Sequence, residues 1–221
     1  PSEYTKGVLE SYPVDAPIRP ITNGVDTDSL AGFADLREEY RERFDLDGLV
    51  VFSVGNVFER KGLTTFCRLA QDTDYEFAWF GPYDSGPQSS STVRKWTKDP
   101  PENVTFTGWV DDIRGAFGAG DVYLFPTKNE NQGIAVLEAM ACRCPIIATR
   151  AGCAPDFVVP GKSGYLVDVD DPEAMAAAII DILRRDNDAW RAMSLAAVQS
   201  IEGYDWKDAA ERFLTCLEGN D

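Results

Sequence analysis

Four charged side chains in this sequence are suited to holding an anion and a set of hydroxyls: Arg60, Lys61, Glu130 and Glu138. The two cations close the run Gly55-Asn56-Val57-Phe58-Glu59-Arg60-Lys61-Gly62, directly after an apolar segment. Adjacent cations at a strand end can clamp a diphosphate. A solvated turn is the alternative reading of such a pair. The two carboxylates frame residues 130–138. Glu138 sits between Leu137 and Ala139 in a segment that reads as buried. A buried carboxylate needs a partner, and a ligand hydroxyl would serve. A surface glutamate and a helix glutamate paired with an arginine would explain the same spacing.

The stretch that must position the carboxylates reads strand, polar loop, glycine, helix. Val122-Tyr123-Leu124-Phe125 is a short apolar run, and Pro126 ends it. Residues 127–132 are polar. From Gly133, the residues Ile134, Leu137, Met140 and Ala141 recur at helical spacing. The backbone N–H groups of Gln132, Gly133, Ile134 and Ala135 then fall at a helix N-terminus. Unpaired donors and the positive dipole end suit an anion there.

The rest of the chain alternates in the same way. Residues 1–12 read as a short helix with Ser2 as a possible N-cap. Pro13, Pro17 and Pro20 mark a linker, and residues 18–21 read as an edge strand. Strands are expected at 49–54, 77–80, 104–106, 122–125, 145–148 and 164–167. Helices are expected at 36–44, 61–70, 93–98, 111–119, 133–142, 172–184, 189–201 and 206–217. The expected fold is therefore α/β: a Rossmann-like, doubly wound, mostly parallel sheet of about six strands with helices on both faces. The loops that carry Gly55, Gly81, Gly108 and Gly133 would open on one edge, where such sheets bind ligands. G-x-G-x-x-G and Walker A patterns are both absent, which argues against an NAD enzyme and a P-loop enzyme.

Composition narrows the class. The formal charge is −16, with 37 Asp+Glu, 21 Lys+Arg and no His. Only seven of the cations are Lys. Spread-out acidity with little lysine points to an intracellular, cytoplasmic protein working in high salt; an ordinary acidic protein is the alternative. No basic patch favours nucleic acid. The five cysteines, Cys67, Cys142, Cys144, Cys153 and Cys216, include no paired CxxC, so reduced thiols are expected and no metal. Without histidine no Ser/His/Asp or Cys/His triad can form. Catalysis would rest on electrostatic stabilisation of a leaving group. No apolar run has membrane-spanning length. The chain begins at Pro1, and we expect it to be a piece of a longer protein.

These residues resemble the donor-binding, C-terminal domain of retaining family 4 (group 1) glycosyltransferases, which have the GT-B fold. Ile21-Thr22-Asn23-Gly24-Val25-Asp26 is similar to the family's I-x-N-G-V-D. Gly55 to Gly62 resembles its diphosphate loop, and Phe106-Thr107-Gly108 its F-x-G. Residues 121–126 resemble A-D-V-x-x-x-P-S. Glu130 and Glu138 fit its E-x7-E motif, and residues 137–141 its L-E-A-M-A. Gly152 to Asp156 resembles G-G-x-P-E, and Gly164 to Val167 resembles G-x-L-V. Their order and spacing together are specific.

The resemblance implies roles. Lys61 would contact the donor diphosphate, Glu138 the ribose hydroxyls, and Glu130 the donor sugar as the catalytic-site carboxylate. Backbone groups of Gln132, Gly133, Ile134 and Ala135 would meet the phosphates or sugar. Asn56 stands where the family has arginine, and Arg60 would compensate. Gln132 and Cys153 also depart from the pattern. The implied reaction transfers a hexose from a UDP- or GDP-sugar, with retention, to a glycolipid, polyprenyl-linked glycan or polysaccharide, with no metal or other cofactor. The segments around residues 58–62 and 77–81 look most like the family's glycolipid-forming glucosyltransferases. A lipid acceptor would place the protein on the inner face of the membrane. The implied division is residues 1–20 as the tail of a missing N-terminal acceptor domain, 21–204 as the nucleotide-sugar domain, and 205–221 as a closing helix that crosses back. Without the missing part, an exposed apolar patch on that helix, a homodimer of the fragment, and donor binding without turnover are expected. A non-catalytic binding module and a sugar-nucleotide 2-epimerase of the same fold are the alternatives.

Overall fold

The computed structural model describes residues 1–218. The sheet has six strands: β1 (Val50–Val54), β2 (Glu76–Phe80), β3 (Val104–Gly108), β4 (Val122–Phe125), β5 (Ile146–Thr149) and β6 (Gly164–Val167). Their order is β3-β2-β1-β4-β5-β6, and every neighbouring pair is parallel. Strand order reverses between β1 and β4, which puts the topological switch point there. The helices are α1 (Glu3–Glu10), α2 (Arg37–Phe44), α3 (Leu63–Gln71), α4 (Ser91–Lys98), α5 (Ile113–Ala119), α6 (Ile134–Ala141), α7 (Ala154–Phe157), α8 (Pro172–Leu183), α9 (Asn187–Gln199) and α10 (Trp206–Glu218). The expected doubly wound α/β fold is the one observed.

Strand alternation builds both faces of the core. Phe52, Tyr123, Phe125 and Ile146 point to one side and pack with α2, α5, α6 and α9. Val51, Val122, Leu124 and Ile147 point to the other and pack with α3, α4 and α8. With helices on both faces, the central strands are buried throughout, so they read as continuous apolar runs. Asp121 fixes the start of β4. One of its oxygens accepts the Val50 N–H at 2.8 Å, and the other takes Arg37 at 2.7 Å.

One expectation fails. Residues 18–21 form no strand. The sheet edges are β3 and β6, and Arg19, Pro20 and Ile21 instead border a groove beside α10. Helix α7, four residues beginning Ala-Pro, is too short to show helical periodicity in the sequence. Ser2 does cap α1, accepting from the Thr5 N–H. Helix α10 leaves Trp206, Phe213, Leu214 and Leu217 more than half exposed, as the apolar-patch expectation requires. Positions 219–221 of the expected closing segment lie outside the described residues. No described helix is long and apolar enough to cross a membrane.

Candidate functional site

Arg60, Lys61 and Glu130 converge at the C-terminal edge of β1 and β4, and Glu138 follows within α6. Gly62 makes this possible. It caps α3 in the left-handed region (φ +84), and a Cβ there would lie 2.0 Å from the Pro126 carbonyl oxygen. Only glycine lets the loop after β1 sit this close to the loop after β4. The two loops are then tied by hydrogen bonds. The Lys128 N–H donates to the Arg60 carbonyl at 2.8 Å, and the Thr127 hydroxyl donates to it at 3.1 Å. Thr127 is fully buried, and in the sequence it was only one of a polar run.

Across this seam the Lys61 ammonium pairs with the Glu130 carboxylate, and Arg60 lies 3.5 Å from the same oxygen. The Lys61 Nζ also stands 5.9 Å from the Phe125 ring centre, within cation–π range. Burial pushes the Glu130 carboxyl up, but the Lys61 bond and charge, the Asn131 N–H and Arg60 outweigh it. Glu130 is therefore held below the usual carboxylate range. It is not a solitary surface glutamate.

Glu138 sits in α6, half-buried, and its carboxylate makes no hydrogen bond or ion pair among the described residues. Burial alone pushes its carboxyl up. The reading of a helix glutamate paired with arginine is therefore not what the structure shows. Nearby, the Tyr123 hydroxyl is fully buried and no group among the described residues meets it in good hydrogen-bond geometry; burial raises it well above the ordinary tyrosine value, the Glu138 charge adds to this, and the Val54 backbone opposes it. Nothing in the apolar run around Tyr123 signalled it.

The N-terminus of α6 is open. Gly133 caps it at φ +80, where a Cβ would meet the Phe125 ring at 2.7 Å. The N–H groups of Gly133, Ile134 and Ala135 have no backbone acceptor among the described residues. Gln132 is different, because its side chain is spent on structure. It is buried, donates to the Thr22 hydroxyl at 2.8 Å and accepts from the Asn23 N–H at 3.2 Å. Its carbonyl takes the Cys153 N–H at 2.6 Å. Gly152 allows that approach, since a Cβ there would lie 2.4 Å from the Gln132 oxygen. Helix α1 buttresses the same corner. Ser2 donates to the Gly152 carbonyl at 3.0 Å, Thr5 to that of Asn131 at 2.9 Å, and the Glu3 N–H to Asp156 at 2.7 Å.

Asn56 is exposed on the loop after β1 and makes no side-chain hydrogen bond among the described residues. That loop is anchored by the Gly55 N–H to the Phe80 carbonyl and by the Trp79 indole to the Gly55 carbonyl. All five cysteines are free thiols. Burial raises Cys67, Cys142 and Cys153 to about 12, so these three are inert as nucleophiles. The arrangement offers two cations, one open helix end and one partnerless carboxylate at a switch point. It suits a phosphate-bearing ligand that also carries hydroxyls.

Comparison with known proteins shows the family. The glycosyl transferases group 1 model matches residues 48–185, more than half of the chain. The processive diacylglycerol alpha-glucosyltransferase of Acholeplasma laidlawii is 35% identical over 153 residues, covering 66% of this chain and 46% of that protein. The GDP-mannose-dependent alpha-(1-6)-phosphatidylinositol monomannoside mannosyltransferase of Mycolicibacterium smegmatis is 30% identical, covering 99% of this chain and 61% of that one. Among solved structures, Anabaena HepE in complex with UDP-glucose superposes with a TM-score of 0.84 at 18% identity, over 97% of this chain and 61% of that one, which shows the shared fold. The chain spans about half the length of the curated relatives it matches. It belongs to the group 1 glycosyl transferases.

Proposed function

We propose, from that membership, that the chain is the donor-binding, C-terminal part of a retaining hexosyltransferase of GT-B fold, which uses a UDP- or GDP-sugar. The observation that carries this reading is one juxtaposition. Lys61 and the open N-terminus of α6 both border the Phe125 ring at the β1/β4 switch point, and the Glu138 carboxylate, partnerless among the described residues, follows in the same helix. Lys61 and Arg60 take the diphosphate together with the N–H groups of Gly133, Ile134 and Ala135, and Asn56 borders it. Gln132 contributes backbone alone. Glu138 accepts from the ribose hydroxyls. UDP-glucose in HepE and GDP-mannose in the mannosyltransferase are donors of the expected class.

Lys61 and Glu130 hold each other. A diphosphate on Lys61 competes for its charge and frees Glu130 to turn to the donor sugar. As the glycosidic bond breaks, charge builds on the departing nucleoside diphosphate, where the cations and the helix end stabilise it. The reaction needs no metal or other cofactor.

Diacylglycerol and a phosphatidylinositol monomannoside appear in the relatives' names as the groups acted on, which favours a lipid acceptor at the cytoplasmic face of a membrane. Residues 1–20 belong to the acceptor half and its linker, 21–204 to the donor domain, and helix α10 (Trp206–Glu218) returns to that half. The exposed face of α10 docks there, or on a second copy in its absence. The net charge of −16 suits the protein to high salt.

Calorimetric titration with UDP, GDP and ADP, in dilute buffer and in molar KCl, tests the donor reading. One nucleotide should bind saturably with 1:1 stoichiometry, and no sugar should be transferred by this chain alone. A folded chain that binds none of the three overturns it.

A further inference from the structure

A cleft of about 870 Å³ opens on the edge of the sheet opposite this site. Its floor is Leu49 ahead of β1, Gly120 and Asp121 ahead of β4, and Cys142 and Cys144 ahead of β5. One strand length, about 13 Å, separates the two edges. Phe33 and Phe117 line one wall, and Leu183, Trp190 and Leu195 the other.

The charge of this cleft runs against that of the molecule. The chain carries −16, yet the cleft is lined by four arginines and one carboxylate, Asp121. Asp121 is already neutralised, with Arg37 at 2.7 Å and Arg41 at 3.6 Å. Arg185 is held by Asp181 at 2.7 Å and by the Tyr165 hydroxyl at 3.0 Å. Arg143 and Arg191 are exposed, and neither side chain has a hydrogen bond or ion pair among the described residues.

Arg143 also occupies a backbone position that favours glycine. It follows the C-cap of α6, with φ 60. Its N–H bonds the Met140 carbonyl at 3.0 Å, and the Cys144 N–H bonds that of Ala139 at 2.9 Å. This is a Schellman motif with arginine in the left-handed place. Arginine there carries strain that glycine would avoid. The Ser194 hydroxyl donates to the Arg143 carbonyl at 2.7 Å, which fixes the residue to α9, the helix that bears Arg191. The cleft thus holds two uncommitted guanidinium groups, one on a strained backbone, beside half-exposed Leu49 and Leu195.

We propose that this cleft binds a phosphorylated amphiphile. The phosphate sits between Arg143 and Arg191, and the apolar body lies against Leu49, Trp190 and Leu195. The guanidinium geometry matches phosphate oxygens. The apolar lining selects a phosphate carried on a lipid-like body over the free ion. This site is independent of the donor site.

The intact chain is titrated with monomeric dihexanoyl phosphatidic acid, inorganic phosphate and dihexanoylglycerol. The phosphatidic acid should bind saturably, at least about tenfold more tightly than either of the others. Arg143→Gly keeps the backbone conformation. It should unfold no earlier than the wild type, bind the phosphatidic acid about tenfold or more weakly, and leave nucleotide binding at the other edge unchanged. Arg191→Gln should weaken the same ligand. Absence of saturable binding, wild-type affinity in both variants, or equal affinity for inorganic phosphate overturns the proposal.

Discussion

Replacing Lys61 by methionine is expected to weaken nucleoside diphosphate binding roughly tenfold to a hundredfold, the range for a hydrogen bond to a charged group. Methionine keeps the unbranched apolar stem against Phe125 and removes the charge. The loss should track phosphate. The bare nucleoside should bind both proteins alike, while the diphosphate discriminates. Lys61→Arg should recover part of the affinity, because the charge returns with different donor geometry. The substitution also leaves Glu130 with Arg60 at 3.5 Å as its remaining cation. Its carboxyl should then titrate higher than in the wild type, which side-chain NMR of the Glu130 carboxyl would read. Equal diphosphate affinity in wild type and Lys61→Met would remove Lys61 from the site.

Glu138 carries the second large effect, and it separates function from stability. Glu138→Gln should weaken ribonucleotide binding by about tenfold to a hundredfold. The wild type should prefer UDP or GDP over the 2′,3′-dideoxy analogue, and the variant should lose that preference. Stability should move the other way. Burial raises the Glu138 pKa in the folded chain. The stability tied to its protonated form is therefore complete below the ordinary glutamate value and is lost as pH rises through the raised folded value. At pH 7 the ionised carboxylate is a cost that glutamine does not carry. Glu138→Gln should melt higher at pH 7, on the order of a few degrees, and the gap should close as pH falls below about 4. A variant that melts lower at pH 7 while keeping wild-type affinity would mean a structural role for Glu138.

What could be read from the sequence follows the range of the interactions. Strands β4 and β6 were read at their observed residues because short apolar runs are bounded by Asp121 and Pro126, and by Ser163 and Asp168. Those signals lie within a few residues of each strand. The open end of α6 was legible for the same reason, since loop, glycine and helical spacing are contiguous. The Lys61–Glu130 pair joins residues 69 apart, and the Gln132–Thr22 bond joins residues 110 apart. The resemblance brought Lys61 and Glu130 to one site, but it did not reveal that each holds the other. Residues 18–21 have strand-like composition, yet no strand edge is free beside them, and tertiary context decides. The strain at Arg143 depends on where α6 ends and was not visible in its composition.

In the proposed function a nucleoside diphosphate lies between Lys61 and the N-terminus of α6. Amide chemical-shift mapping of the labelled chain during titration with UDP or GDP locates it. Saturating shifts are expected at Lys61, Gly62, Gly133, Ile134 and Ala135, with no shifts at Arg143 and Arg191 on the opposite edge. Saturating shifts that leave Gly133, Ile134 and Ala135 in place and cluster elsewhere would contradict it.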